Sequence, residues 1–175
     1  MNEQVIIKPL EGIEWENKVV SLGSPLSSVT AVLGEAETIY GNHYYYCNSN
    51  LRVDLDSNGN VEFIEFLAGI DGDIHPQIYG VSAFDIDADE LIKMLKEQNN
   101  GDIDDHEDGY CYNFPEISVG VYRESTPEDV SQMIEEAREE GDPMDEEEIE
   151  YETRKAVHWA SIGIGVKGYY LNNME

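Results

Sequence analysis

The densest set of chemically useful side chains lies between Asp54 and Glu65. Asp54, Asp56 and Asn58 set oxygens at every second position, Gly59 permits a sharp turn, the Asn60 carbonyl follows, and Glu65 ends the set with a carboxylate. Oxygen donors in this order suit a hard divalent cation of calcium's size, which takes about six to eight oxygens. A different structure runs through the same residues. Leu51, Val53 and Leu55 alternate with Arg52 and Asp54, residues 61–67 are largely apolar, and Asn58-Gly59 between them is a strong hairpin signal.

As a local string the segment resembles an EF-hand loop, with Val61 at the apolar eighth position. That resemblance implies a calcium-binding protein using Asp54, Asp56, Asn58, Asn60 and Glu65, which stands as the alternative reading. The flanks favour the hairpin. An EF-hand needs an entering helix, whereas residues 44–53 are β-favouring, alternate with period two and are interrupted by Asn48-Ser49-Asn50. The second acidic string, Asp85-x-Asp87-x-Asp89, lacks a glycine at its sixth position. The hairpin reading assigns no metal and no cofactor.

Other chemistry is thinner. His43, His75, His106 and His158 are scattered, with no i, i+4 pair for a helical zinc site. Gly163-x-Gly165-x-x-Gly168 precedes no recognisable helix and reads as a strand with small residues rather than a phosphate loop. No serine sits on a nucleophile elbow and neither cysteine has a histidine partner in the pattern. Carboxylates are too numerous for a catalytic pair to stand out. The expectation is a protein that is not an enzyme.

The 175 residues carry 38 Asp plus Glu against 10 Lys plus Arg, a formal net charge of -28. Such a field repels nucleic acid and anionic membranes and steers basic proteins toward the surface. An apolar fraction of 41% still supports a folded core. The N-terminus has no basic leader followed by an apolar run, no stretch reaches membrane-span length, and Cys47 and Cys111 read as small thiols in a reducing compartment. A cytoplasmic protein is expected.

The elements that must position these residues follow from capping and periodicity. A strand at 5–7 leads in. Ser24-Pro25 starts a helix with Leu26, Val29, Val32 and Leu33 on one face and Gly34 at its end, and strands follow at 44–47, 51–55 and 61–67. The order then begins again. Asp87 and Glu90 start a helix with Leu91, Ile92, Met94 and Leu95 inward; after an acidic loop at 102–109, Tyr110-Cys111-Tyr112 echoes 44–47, and Ile117, Val119 and Val121 alternate as Leu51, Val53 and Leu55 do. Where the hairpin would recur there is an acidic insertion, 124–152, whose helix starts at Thr126-Pro127 and carries Val130, Met133, Ile134 and Ala137 on one stripe. The last strand, 157–166, slips in alternation near Ala160-Ser161, which predicts a β-bulge. The fold class is α+β: two tandem α-β-β-β units, 1–74 and 75–175, forming an antiparallel sheet with helices on one face.

Charge concentrates in the second unit. Asp102, Asp104, Asp105, Glu107 and Asp108 form one cluster, and Glu136, Glu139, Glu140, Asp142, Asp145, Glu146, Glu147 and Glu148 form another, with Tyr151 beside it and Tyr110 and Tyr112 near the first. Together they are the candidate partner-binding residues. This layout, with the endings IEF and KGYY, resembles bacterial immunity proteins, several of which have tandem α-β units like those of β-lactamase-inhibitor proteins. The resemblance covers most of the chain at the level of architecture. It implies inhibition by tight binding, with the acidic surface meeting a basic partner such as a secreted toxin domain, often a nuclease, at a steered rate.

Overall fold

Three short antiparallel strands open the chain in the computed structural model, which describes residues 4–172. They are β1 (Val5–Lys8), β2 (Gly12–Trp15) and β3 (Lys18–Ser21). Trp15 faces Lys18 across a two-residue turn in which Glu16 and Asn17 both have positive φ, the backbone of a type I′ hairpin. That turn lacks the usual glycine, so the sequence shows only the leading strand.

The first unit is α1 (Leu26–Leu33), β4 (Thr38–Tyr40), β5 (His43–Tyr46), β6 (Leu51–Leu55) and β7 (Val61–Phe66). Two-residue strands β8 (Gln77–Ile78) and β9 (Val81–Ser82) then return to the N-terminal sheet, β8 lying parallel to β1. The second unit is α2 (Ala88–Asn99), β10 (Asp104–Glu107), β11 (Cys111–Phe114), β12 (Val119–Tyr122), α3 (Pro127–Glu139), α4 (Glu146–Ala156) and β13 (Ser161–Gly165), followed by the short α5 (Tyr169–Asn172). The fold is α+β, with a five-stranded sheet in the order β3-β2-β1-β8-β9 and an eight-stranded antiparallel sheet in the order β10-β11-β12-β13-β7-β6-β5-β4.

The large sheet is nearly two-fold symmetric about the β7–β13 pair, with the axis where Glu65 faces Gly163, so that Ile64 corresponds to Ile162 and Phe66 to Ile164. Carried outward, the registers make Leu51 equivalent to Val119, Val53 to Val121 and Tyr46 to Phe114, and all six side chains are buried. Each unit therefore has four strands after its helix, not three. The additional strands, β4 and β10, lie at opposite edges of the sheet; β4 is exposed at every position and β10 reads Asp-Asp-His-Glu, so neither carries an apolar alternation. The Tyr/Cys echo is also corrected. Cys111 opens β11, whereas Cys47 follows β5 in a left-handed turn with Asn48 and Ser49.

The predicted strand 157–166 divides differently. Helix α4 runs to Ala156, a connection follows, and β13 begins only at Ser161. The change of period near Ala160 is a change of element, not a bulge. Trp159 in that connection is buried and donates from Nε1 to the Ala88 carbonyl at 3.0 Å, anchoring the start of α2.

Val29 of α1 and Leu91 and Leu95 of α2 join one apolar core with Leu51, Val53, Ile64, Phe66, Val119, Val121, Ile162 and Ile164. The alternate residues of the strands face the other way: Arg52, Asp54, Phe63, Glu65, Gly120, Tyr122, Gly163 and Gly165. On that second face Tyr169 stacks on Phe63 with ring centroids 4.6 Å apart, and Gly120, Gly163 and Gly165 leave the space that Tyr169 and Tyr170 fill. The glycine string therefore does precede a helix, the four-residue α5, and its chemistry is steric.

Candidate functional site

The Asp54–Glu65 stretch is a β-hairpin, and Asp54, Asp56 and Glu65 are engaged by other protein groups. Asp54 is buried, lying 2.6 Å from His43 Nδ1 and accepting from Arg52 Nη2 at 3.1 Å. Asp56 accepts from the Asn58 and Asn60 backbone N–H groups at 2.8 and 3.0 Å, an Asx-type turn, and its own N–H donates to the Asn60 carbonyl at 2.7 Å. Asn58 is exposed. Glu65 lies across the sheet from Arg52, 3.4 Å from Nη1, and burial pushes its carboxyl up while the guanidinium pulls it down. No entering or exiting helix flanks the turn. Among the described residues no group of three or more His, Cys, Asp or Glu is placed to hold a metal ion.

The two acidic clusters occupy different elements. Asp104 and Glu107 lie on edge strand β10, with Asp102 before it and Asp108 in the hairpin turn. Charge along an edge blocks pairing with another chain's strand. Burial opposes ionisation of Asp104, yet hydrogen bonds from the His106 ring, the His106 N–H and Asn113 hold its carboxyl below the ordinary range. Asp102, Asp105, Glu107 and Asp108 are exposed, and Asp108 accepts from the Tyr112 hydroxyl. Tyr110 in turn donates to Asp129 at 2.6 Å, joining this hairpin to the start of α3.

Helices α3 and α4 fill the insertion and pack on each other. The acid run 145–148 is itself a helix start: Asp145 and Glu148 form a capping box, and Glu146 and Glu147 lie in the first turn, where the helix dipole favours negative charge. Glu136 accepts from Gln132 at 2.8 Å; Glu139, Glu140 and Asp142 are exposed at the end of α3. Tyr151 reaches along the surface instead, donating to Asp71 at 2.5 Å. That bond ties α4 to the turn after β7, 80 residues away in sequence.

What the sequence does not reveal is the groove this tie helps to form. Leu67, Ala68 and Ala160 contribute apolar surface, Glu65, Asp71 and Glu124 contribute carboxylates, Tyr122 stands beside them, and Lys155 of α4 and Ser161 complete a concavity of about 530 Å³. Lys155 Nζ lies 3.3 Å from Glu124. Tyr122 is 45% exposed and also borders a second depression with His106, Glu107, Asp108 and Tyr110. Its alternation with Val121 places it on the sheet face opposite the apolar core, the one signal in the sequence. The other lining residues come from segments about 30 to 90 positions apart, beyond any local pattern.

Beneath this surface Arg123 is a buried fastener. Its Nε donates to the Gly109 carbonyl at 2.6 Å, Nη1 to the Ala156 carbonyl at 2.7 Å, and its guanidinium lies over the Trp159 ring at 4.9 Å. The arginine joins the β10–β11 hairpin, the end of α4 and the sheet.

No family model, curated protein or solved structure gives a significant match to the chain. No helix among the described residues is long and apolar enough to cross a membrane.

Proposed function

We propose that the protein is a non-enzymatic binding protein of the immunity or inhibitor type, acting in the cytoplasm on a basic protein partner such as a toxin domain. The observation that carries the reading is the pairing of exposed tyrosine with a carboxylate rim: Tyr122, 45% exposed, stands by Glu65, Asp71 and Glu124 on one side and by Glu107 and Asp108 on the other, and Tyr151, 39% exposed, donates to Asp71. Tyrosine supplies contact area at little entropic cost and is enriched among interface hot spots. The surrounding acids of β10, α3 and α4 supply the long-range field that captures a cationic partner and sets the association rate. A net charge of -28 makes nucleic acid a poor direct partner.

The test is recovery of a partner from native-host extract, followed by association kinetics. A basic protein should bind, with an on-rate that falls at least about tenfold from low to high salt and in a Glu139→Gln, Glu140→Gln, Glu146→Gln, Glu147→Gln variant. Failure to recover any protein at low salt, or a partner whose rate ignores both salt and the variant, overturns the proposal.

A further inference from the structure

We infer that the groove beside Tyr122 receives a single arginine side chain of the partner. This rests on the protein-binding reading above and goes further by assigning one pocket and one chemistry to the contact.

The two-fold relation of the units shows what the insertion adds. In the first unit β6 and β7 are joined by a five-residue turn, residues 56–60; at the equivalent place in the second unit β12 and β13 are joined by 38 residues, 123–160. Helix α4 is thereby brought against the turn that follows β7, where Tyr151 bonds Asp71 and Lys155 faces Glu124. The groove exists only because of this asymmetry. Its lining matches the two parts of an arginine. Leu67, Ala68 and Ala160 offer apolar surface to a methylene stem, while Glu65, Asp71 and Glu124 offer acceptors to a guanidinium. Three carboxylates face Lys155 in the lining and Arg52 beside Glu65, which leaves net negative charge, so a further cation is favoured there.

Neighbouring bonds set how much acceptor capacity remains. Glu65 shares its charge with Arg52 at 3.4 Å, Asp71 gives one oxygen to Tyr151, and Glu124 pairs with Lys155 at 3.3 Å. Burial raises the Glu65 carboxyl, and an incoming cation offsets that cost. Arginine suits the place better than lysine because its planar head binds a carboxylate through two N–H groups and stacks on an aromatic ring, here Tyr122.

The probe is Nα-acetyl-arginine amide, titrated at low salt into the isotope-labelled protein and followed by NMR, with the citrulline and norleucine amides as controls. Saturable shifts should centre on Leu67, Ala68, Asp71, Tyr122, Ala160 and Ser161. The citrulline amide, neutral at the same shape, should bind at least about fivefold more weakly, as should arginine amide to Glu124→Gln and to Glu124→Gln, Asp71→Asn, whereas Glu146→Gln, Glu147→Gln should bind it as the parent does. Equal affinity for citrulline, shifts spread over β10 and α4 without the groove, or no saturable binding overturns the inference. If wild type and Glu124→Gln, Asp71→Asn hold a recovered partner equally, the pocket falls and the broader reading stands. If wild type holds no partner, it is the broader reading that falls.

Discussion

Asn50 and Ser118 hold equivalent places in the two halves of the large sheet, each giving its carbonyl to the chain leaving a central strand. Leu67 N–H donates to Asn50 at 2.9 Å and Gly165 N–H donates to Ser118 at 3.0 Å. Both residues are buried although polar, because both end the tight connection from the second to the third strand of their unit. Ser118 adds a bond of its own, Oγ to the Val166 carbonyl at 2.9 Å, and has φ 52°.

A β-branched residue suits that backbone poorly. Ser118→Val should lose the hydroxyl bond and add left-handed strain, costing about 2–4 kcal/mol by urea denaturation, with Ser118→Gly costing at most about half as much. Equal stability of the two variants would contradict the strain argument.

Gly163 has no room for a methyl group, since an added Cβ would press into the Phe63 ring and approach the Tyr170 hydroxyl. Gly163→Ala should destabilise by about 1–3 kcal/mol and disturb the near-ultraviolet tyrosine signal as α5 is pushed off the sheet. Burial holds the Tyr169 hydroxyl up at about 12 and raises Tyr170 well above its ordinary 10, so a Tyr170 that ionises near the ordinary value in Gly163→Ala would report the displacement directly.

Arg123 donates to the Gly109 and Ala156 carbonyls. Arg123→Met keeps much of the packing on Trp159 but leaves those acceptors bare, and should cost at least about 2 kcal/mol by thermal or urea unfolding. Lysine cannot supply the two-pronged donor geometry, so Arg123→Lys should restore little of the loss.

On the β10 edge the exposed His106 pairs with the half-buried Asp104, its Nδ1 2.6 Å from Asp104 Oδ1. The bond to Asp104, and then its charge, raise His106 above its ordinary 6.5. A raised histidine adds stability that is complete below about 6.5 and lost as pH climbs through the folded value. Titration of the ring C–H resonances should therefore give a midpoint above 6.5, and Asp104→Asn should bring it down. A midpoint unmoved by that change would show that the pair does not persist in solution.

How much was legible follows from the range of each interaction. Helix α2, with Asp87 as cap and its Leu91 and Leu95 stripe, and the α3 start at Thr126-Pro127 are local patterns of capping and periodicity, and they formed as read. Helix α4 is hard to see in the sequence although Asp145 and Glu148 make a capping box, because the acid run obscures a helix with few apolar positions. Strands β3, β4 and β10 leave little apolar pattern because an exposed or acidic strand is held by its neighbour's backbone rather than by its own side chains, and β2, though buried at Ile13 and Trp15, is only four residues long.

The Asp54–Glu65 stretch shows the division most clearly. The sequence by itself determined that Asn58-Gly59 turns the chain and that Leu51, Val53 and Leu55 face one way, because turn chemistry and period-two alternation act over a few residues. Only the tertiary structure decided what the carboxylates do. Asp54 meets His43 and Arg52, and Glu65 lies between Arg52 and the groove that α4 walls off, because strand pairing and helix docking bring together groups that sequence distance separates.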